Sequence, residues 1–250
     1  MRRRWMTANA VVATSVVGLA MIVGLADPAG ALAGARADAT TTASAGGTTV
    51  DVTIPNVIFE GPDCMNAPVK ASFQQVDSFA TVHLAAAIDG SNNSLSVSLL
   101  ANDSGPVTDS YQVCPSIDGP GTYNVTGTLN TAVEAANFTP ATFTVSRATT
   151  DFTVLTASIR RGTLTVTGRV VARTHKGNIG ADGTIRLYGF LSKARGGTGK
   201  WTQIGTAFPD QFGAFRVSGA AKRRLNGAYI RALFLPDPWC LASRRVVRIP

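Results

Sequence analysis

From residue 48 onward apolar and polar positions alternate. Val50, Val52 and Ile54 are separated by polar residues, as are Val69, Ala71 and Phe73. The same period of two runs through Val82, Leu84, Ala86 and Ile88, then Leu95, Val97 and Leu99. Tyr123, Val125 and Leu129 form another run, and Phe143 and Val145 close this set. Successive side chains of a strand point to opposite faces, so each run predicts a strand with one buried face. A second set begins after Ser146, with Phe152, Val154 and Ile159, then Leu164, Val166 and Val170. Ile185, Leu187 and Gly189 alternate with Arg186, Tyr188 and Phe190. Trp201 and Ile204, Phe215 and Val217, Tyr229 to Phe234, and Val246 to Ile249 complete the set. Gly, Pro, Asn and Asp punctuate the runs, and no convincing helical period appears. The pattern predicts an all-β chain of two antiparallel sandwiches, each of roughly a hundred residues and about seven strands. The expected boundaries are residues 48–146 and 151–250, joined by a linker at 147–150. The Thr-, Ala-, Ser- and Gly-rich stretch 40–47 reads as a flexible tether.

The first 39 residues have a different pattern. Arg2, Arg3 and Arg4 precede an apolar run from Val11 to Ala26, followed by Pro28 and Gly30. Small-x-small patterns occur at Ala31-Leu32-Ala33 and Ala37-Asp38-Ala39. That order predicts a secretory signal peptide with cleavage near Ala33 to Ala39, and hence a secreted protein. The alternative is an uncleaved membrane anchor, against which Asn9 and the Ala-x-Ala patterns weigh. With 45% apolar and 15% charged residues, a chain disordered throughout is excluded.

Net charge is +8, but it is divided unevenly. Residues 40–146 hold one basic residue, Lys70, and nine acidic ones, a net of −8. Residues 147–250 hold 18 basic and four acidic residues, a net of +14. Two readings follow. The halves attract within the chain, or the basic half meets an anionic partner. Arginine outnumbers lysine 18 to 5, which reads as GC-rich codon usage rather than function.

Gly119-Pro120-Gly121-Thr122-Tyr123 resembles the opening of strand F in immunoglobulin-like domains, and Asn226-Gly227-Ala228-Tyr229 resembles it again. Trp201-Thr202-Gln203-Ile204-Gly205-Thr206 with Asp210-Gln211-Phe212-Gly213-Ala214-Phe215 resembles the immunoglobulin-like repeats of secreted actinobacterial proteins. The resemblance covers most of residues 48–250 and implies fold rather than function, because this sandwich hosts unrelated activities. It lacks the usual core disulfide, since Val125 stands where a cysteine would follow the tyrosine. With Tyr123 opening strand F, the family topology puts Cys64 in the A–B connection and Cys114 in the E–F connection. Those loops share one pole, which implies a Cys64–Cys114 bond that ties the two sheets together. Cys240, beside Trp239 in the second F–G connection, is then a free, partly covered thiol near the inter-domain junction, with intermolecular pairing as the alternative.

The same topology gathers cations at one tip of the second domain. Arg160 and Arg161 fall in its A–B turn. Lys193, Arg195 and Lys200 fall after strand C, and Lys222, Arg223 and Arg224 between E and F. These eight are the candidate contacts for an anionic polymer or envelope surface.

Catalytic chemistry finds little material. His83 sits in an alternating strand and His175 in a loop, neither with a second ligand at metal spacing, so no metal is expected. No Gly-x-Ser-x-Gly is present, and Asp89 to Ser94 reads as a turn rather than a calcium loop. No cofactor is expected. The reading is a non-catalytic secreted or envelope-associated binding or structural protein. The alternatives are a secreted hydrolase using first-domain carboxylates, or a nucleic-acid-binding module, which lacks a recognition motif.

Overall fold

The computed structural model describes residues 38–74, 79–88, 94–101, 105–191, 199–221 and 228–250. Residues 1–37, which include the expected signal segment, lie outside them.

The first sandwich is built from ten strands. One sheet has the order β1 (Ala39–Ala45), β2 (Thr48–Ile54), β4 (Met65–Gln74), β7 (Val107–Val113). The facing sheet has the order β3 (Val57–Ile58), β10 (Ala141–Ser146), β8 (Gly121–Asn130), β5 (Thr81–Ala87), β6 (Ser94–Leu100), with β9 (Ala135–Asn137) beside β8. Every pairing is antiparallel except β3 with β10. Val50, Val52, Ile54, Val69, Ala71, Val82, Leu84, Val125 and Leu129 are all buried, so the alternation read from the sequence is the inside–outside alternation of the sheets. Tyr111 of β7 stacks on Phe143 of β10 across the core, with ring centres 5.9 Å apart.

Residues 39–45 are strand β1, not a tether. Each of its residues from Ala39 to Ala45 pairs with one of β2 from Ile54 to Thr48. Thr41, Ala43 and Ala45 face inward and are buried. Alanine and threonine supply little hydrophobicity, so the period of two was present but weak.

The second sandwich has eight strands. In one sheet β12 (Thr163–Thr174) lies beside β11 (Thr149–Arg160) and, on its other edge, beside β16 (Ala214–Ala220) and then β13 (Gly177–Gly180). The other sheet runs β15 (Lys200–Ala207), β14 (Ile185–Leu191), β17 (Tyr229–Phe234), β18 (Ser243–Arg248). Strand β11 begins at Thr149, so Thr149 and Thr150 belong to the sandwich and only Arg147 and Ala148 join the halves. Phe152 and Phe215 meet edge to face at 6.2 Å over Gly168, where a Cβ would stand 2.5 Å from the Phe215 ring. A larger residue there would displace that aromatic pair.

In strand order, each half has an A–B–E sheet facing a C–F–G sheet. The chain is thus a tandem of immunoglobulin-like β sandwiches. No helix among the described residues is long and apolar enough to cross a membrane.

Candidate functional site

At one pole of the first sandwich, Cys64 and Cys114 are disulfide-bonded. They follow directly on the register pair Met65–Val113, so the bond joins neighbouring strands β4 and β7 of one sheet. It does not tie the two sheets together, as the shared-pole argument implied. Strands B and E lie side by side in this topology, and each cysteine extends their ladder by one step. The Tyr123 hydroxyl donates to the Asp118 carbonyl at 2.7 Å, and the Asp118 carboxylate accepts from the Cys114 N–H at 2.7 Å. Burial, then the nearby Asp118 charge, pushes the Tyr123 hydroxyl up to about 12. This is the tyrosine corner of immunoglobulin-like sandwiches.

The second domain does not repeat that corner. Tyr229 is 46% exposed and Ile230 takes the buried position. The tyrosine is one residue out of phase with Tyr123, and a one-residue shift turns a strand side chain to the other face.

The join between the halves is made by backbone bonds. The Ala148 N–H donates to the Trp239 carbonyl at 2.9 Å, and the Leu241 N–H to the Ala148 carbonyl at 2.9 Å. The Arg147 Nε donates to the Pro238 carbonyl at 3.1 Å. Lys176 in the β12–β13 turn pairs with Glu60 of the first half at 2.5 Å. Trp239 and Cys240 are buried in the apolar cluster that continues through both sandwiches. Cys240 is free and fully buried rather than partly covered. Burial first, then Asp237 and Asp182, push its thiol up to about 12. A thiol in that state is not a nucleophile at neutral pH. Burial and Asp182 also raise the Asp237 carboxyl.

In the second sandwich the carboxylates gather toward one end, whereas cations lie at both, Arg173 and Lys176 among them at the end nearer the join. Its four carboxylates are at the end nearer the join. Asp151 lies near the start of β11 and Asp182 between β13 and β14, while Asp210 follows β15 and Asp237 follows β17. The opposite end holds the Arg161–Gly162 turn of the β11–β12 hairpin, the last residue of β14, the first of β15 and the last of β16. Exposed there are Arg160, Arg161, Lys200 and Arg248, the last opposite Tyr229. Lys200 is the first residue of β15 rather than part of the preceding connection. Lys193, Arg195, Lys222, Arg223 and Arg224 lie outside the described residues. Arg248 was hidden in the sequence because the terminal Arg-Val-Val-Arg run gives no hint of which end of the sheet it reaches.

Arg161 has φ of 50° and Gly162 of 76°. Two successive left-handed residues make the tight hairpin turn in which Asn-Gly is the favoured pair. An arginine carries a conformational cost there that asparagine would largely avoid.

Three described carboxylates of the first domain each have their own partner in the fold. Asp51 accepts from Thr42 at 2.7 Å, Glu134 from the Gly46 N–H at 2.9 Å, and Asp109 from the Ser110 N–H at 2.8 Å. A cavity of about 190 Å³ opens between β15 and β16 and is lined by Leu164, Val166, Leu187, Ile204 and Val217 among others, none of them titratable. Among the described residues no three His, Cys, Asp or Glu gather as metal ligands. His83 bonds Ser98 at 2.9 Å on an exposed sheet face.

No family model and no curated protein matches the chain. Solved structures similar to it include red sea bream transglutaminase, at 12% identity and a TM-score of 0.35. The match covers 83% of this chain and 32% of that one, so the chain spans about a third of that enzyme's length. A tetra-tandem repeat from the extending region of a large adhesion protein matches at 12% identity and a TM-score of 0.34, over 85% of this chain and 66% of that one. A two-domain fibronectin type-III segment of chicken tenascin matches at 10% identity and a TM-score of 0.33, over 78% and 98%. Likeness this distant says nothing about activity.

Proposed function

We propose that the chain is a secreted or envelope-associated, non-catalytic binding protein whose basic second sandwich docks on an anionic polymer or surface through its distal end. The observation that carries this reading is that the distal end has exposed cations and no carboxylate among its described residues. All four second-domain carboxylates lie toward the join, while Arg160, Arg161, Lys200 and Arg248 are exposed at the other end. Cations crowded without counter-charges repel one another, and an external polyanion relieves that repulsion. Arg161 adds support, because it keeps a cation at a backbone position better suited to asparagine. The Cys64–Cys114 bond supports an oxidising compartment. The test is retention of the full chain on a polyanionic matrix as salt is raised. Docking of this kind gives strong retention at low salt and a steep loss above it. Absence of retention at low salt overturns the reading.

A further inference from the structure

The outer face of the β15–β14–β17–β18 sheet carries a second arrangement, which borders the distal end at Arg248. Arg231 of β17 extends over Tyr188 of β14 and over Trp201 of β15. Its guanidinium carbon is 4.8 Å from the tyrosine ring centre and 4.6 Å from the tryptophan ring. Tyr188 and Arg231 are register partners, so the contact is a cross-strand pair. Phe190 meets Trp201 edge to face at 5.3 Å and fixes its ring. Arg231 forms no ion pair with a described residue. Its Nε is buried without a hydrogen-bond partner. The fold thus pins a guanidinium on two rings, and no described residue supplies an anion to it.

By register, the cations on the outer face of the four strands are Arg186, Arg231, Arg244 and Arg248, and the strands contain no Asp or Glu. Tyr229 lies two residues before Arg231 on the same face, half exposed and opposite Arg248. Strand geometry puts that ring about 7 Å along the strand from Arg231 and about 5 Å across from Arg248. An open aromatic face therefore lies beside two cations, within the span of one or two sugar rings.

We infer that this face binds a carboxylated polysaccharide, with Arg231 receiving a carboxylate and Tyr229 stacking against a sugar ring. A planar carboxylate accepts two parallel N–H bonds from a guanidinium, a match that an ammonium cannot make. A guanidinium already held by rings loses little freedom on binding. Tyr229 offers an apolar face to the C–H face of a pyranose. Single-stranded nucleic acid needs a succession of open ring faces. Here Arg231 covers Tyr188 and Trp201, which leaves Tyr229 for stacking. The inference shares with the proposed function the anionic nature of the partner and the flanking Arg248, while the groups that make its contacts, Arg231 and Tyr229, are different, so the two can fail separately.

The test titrates the full chain with polygalacturonate, with oligo-dT of equal charge and with uncharged dextran, by calorimetry. Polygalacturonate binds at least about tenfold more tightly than oligo-dT, and dextran does not bind. Arg231→Gln and Arg231→Lys each weaken polygalacturonate binding by about tenfold, because lysine keeps the charge and loses the fork. Melting curves check the fold, and should the Arg231 variants not fold, Tyr229→Ala on an exposed ring decides, with the same loss expected. Equal binding of polygalacturonate and oligo-dT, or parental binding by folded Arg231 or Tyr229 variants, overturns the inference. If polygalacturonate does not bind while the polyanionic matrix still retains the chain, this site falls and the distal-end reading stands.

Discussion

The Tyr123 hydroxyl donates to the carbonyl of Asp118, whose own carboxylate holds the backbone N–H of Cys114. One residue pair thus fixes the opening of β8 and the end of the disulfide loop together. Tyr123→Phe removes the hydroxyl and keeps the ring that stacks on Phe143 at 5.2 Å. It should lower stability by about 1–2 kcal/mol, seen as a lower denaturant midpoint with unchanged slope. An unchanged midpoint would show that the corner contributes no stability.

The Cys64–Cys114 bond closes a separation of 50 residues. The chain-entropy model then gives about 4 kcal/mol of stabilisation, acting on the unfolded chain. Cys64→Ala with Cys114→Ala should lose most of it in equilibrium unfolding. Peptide mapping without reduction should recover the linked pair, and a link to Cys240 would contradict the burial of that residue.

Cys240 should resist alkylation in the folded chain at pH 8 and react once the chain is unfolded, as followed by mass spectrometry. Its folded-state value is raised from 9.0 to about 12, so the folded form binds the proton more tightly. The resulting stability is fully present below pH 9 and is lost as pH climbs toward 12. Cys240→Ala should flatten the fall in denaturant midpoint over that window. Labelling at the unfolded rate in the native chain would show that the join opens.

These features were legible in the sequence to different degrees. Strong alternation, as in Val50-Asp51-Val52-Thr53-Ile54, revealed both the strand and its buried face. Strand β1 was missed because its inward residues are Thr41, Ala43 and Ala45. Strand β7 was missed because Asp109 and Ser110 interrupt its run. The second tyrosine motif misled because a local pattern does not fix phase. Ile230, not Tyr229, matches the inward register of β17. The Arg160–Arg161 turn was readable from Gly162, whereas the Arg231 platform spans three strands and needed their register. Its trace in the sequence was the outward set Arg186, Tyr188 and Phe190.

Cleavage of the proposed signal segment would have a structural consequence. Ala39 is the first residue of β1 and pairs with Ile54. A cut after Ala39 would remove it from the sheet, whereas a cut after Ala33 leaves β1 whole. N-terminal sequencing of protein from culture medium should therefore begin at Gly34. Intact Met1 in a membrane fraction would contradict secretion.

The central claim is that the distal end of the second sandwich is the electrostatic contact. Its most direct test compares the full chain with the variant Arg160→Ser, Arg161→Asn, Lys200→Ser on a polyanionic matrix across a salt gradient. The asparagine suits the left-handed turn position, so the variant should be at least as stable as the parent. The account predicts elution at clearly lower salt, with the salt slope reduced by up to about three charges. Co-elution of the folded variant with the parent would contradict it.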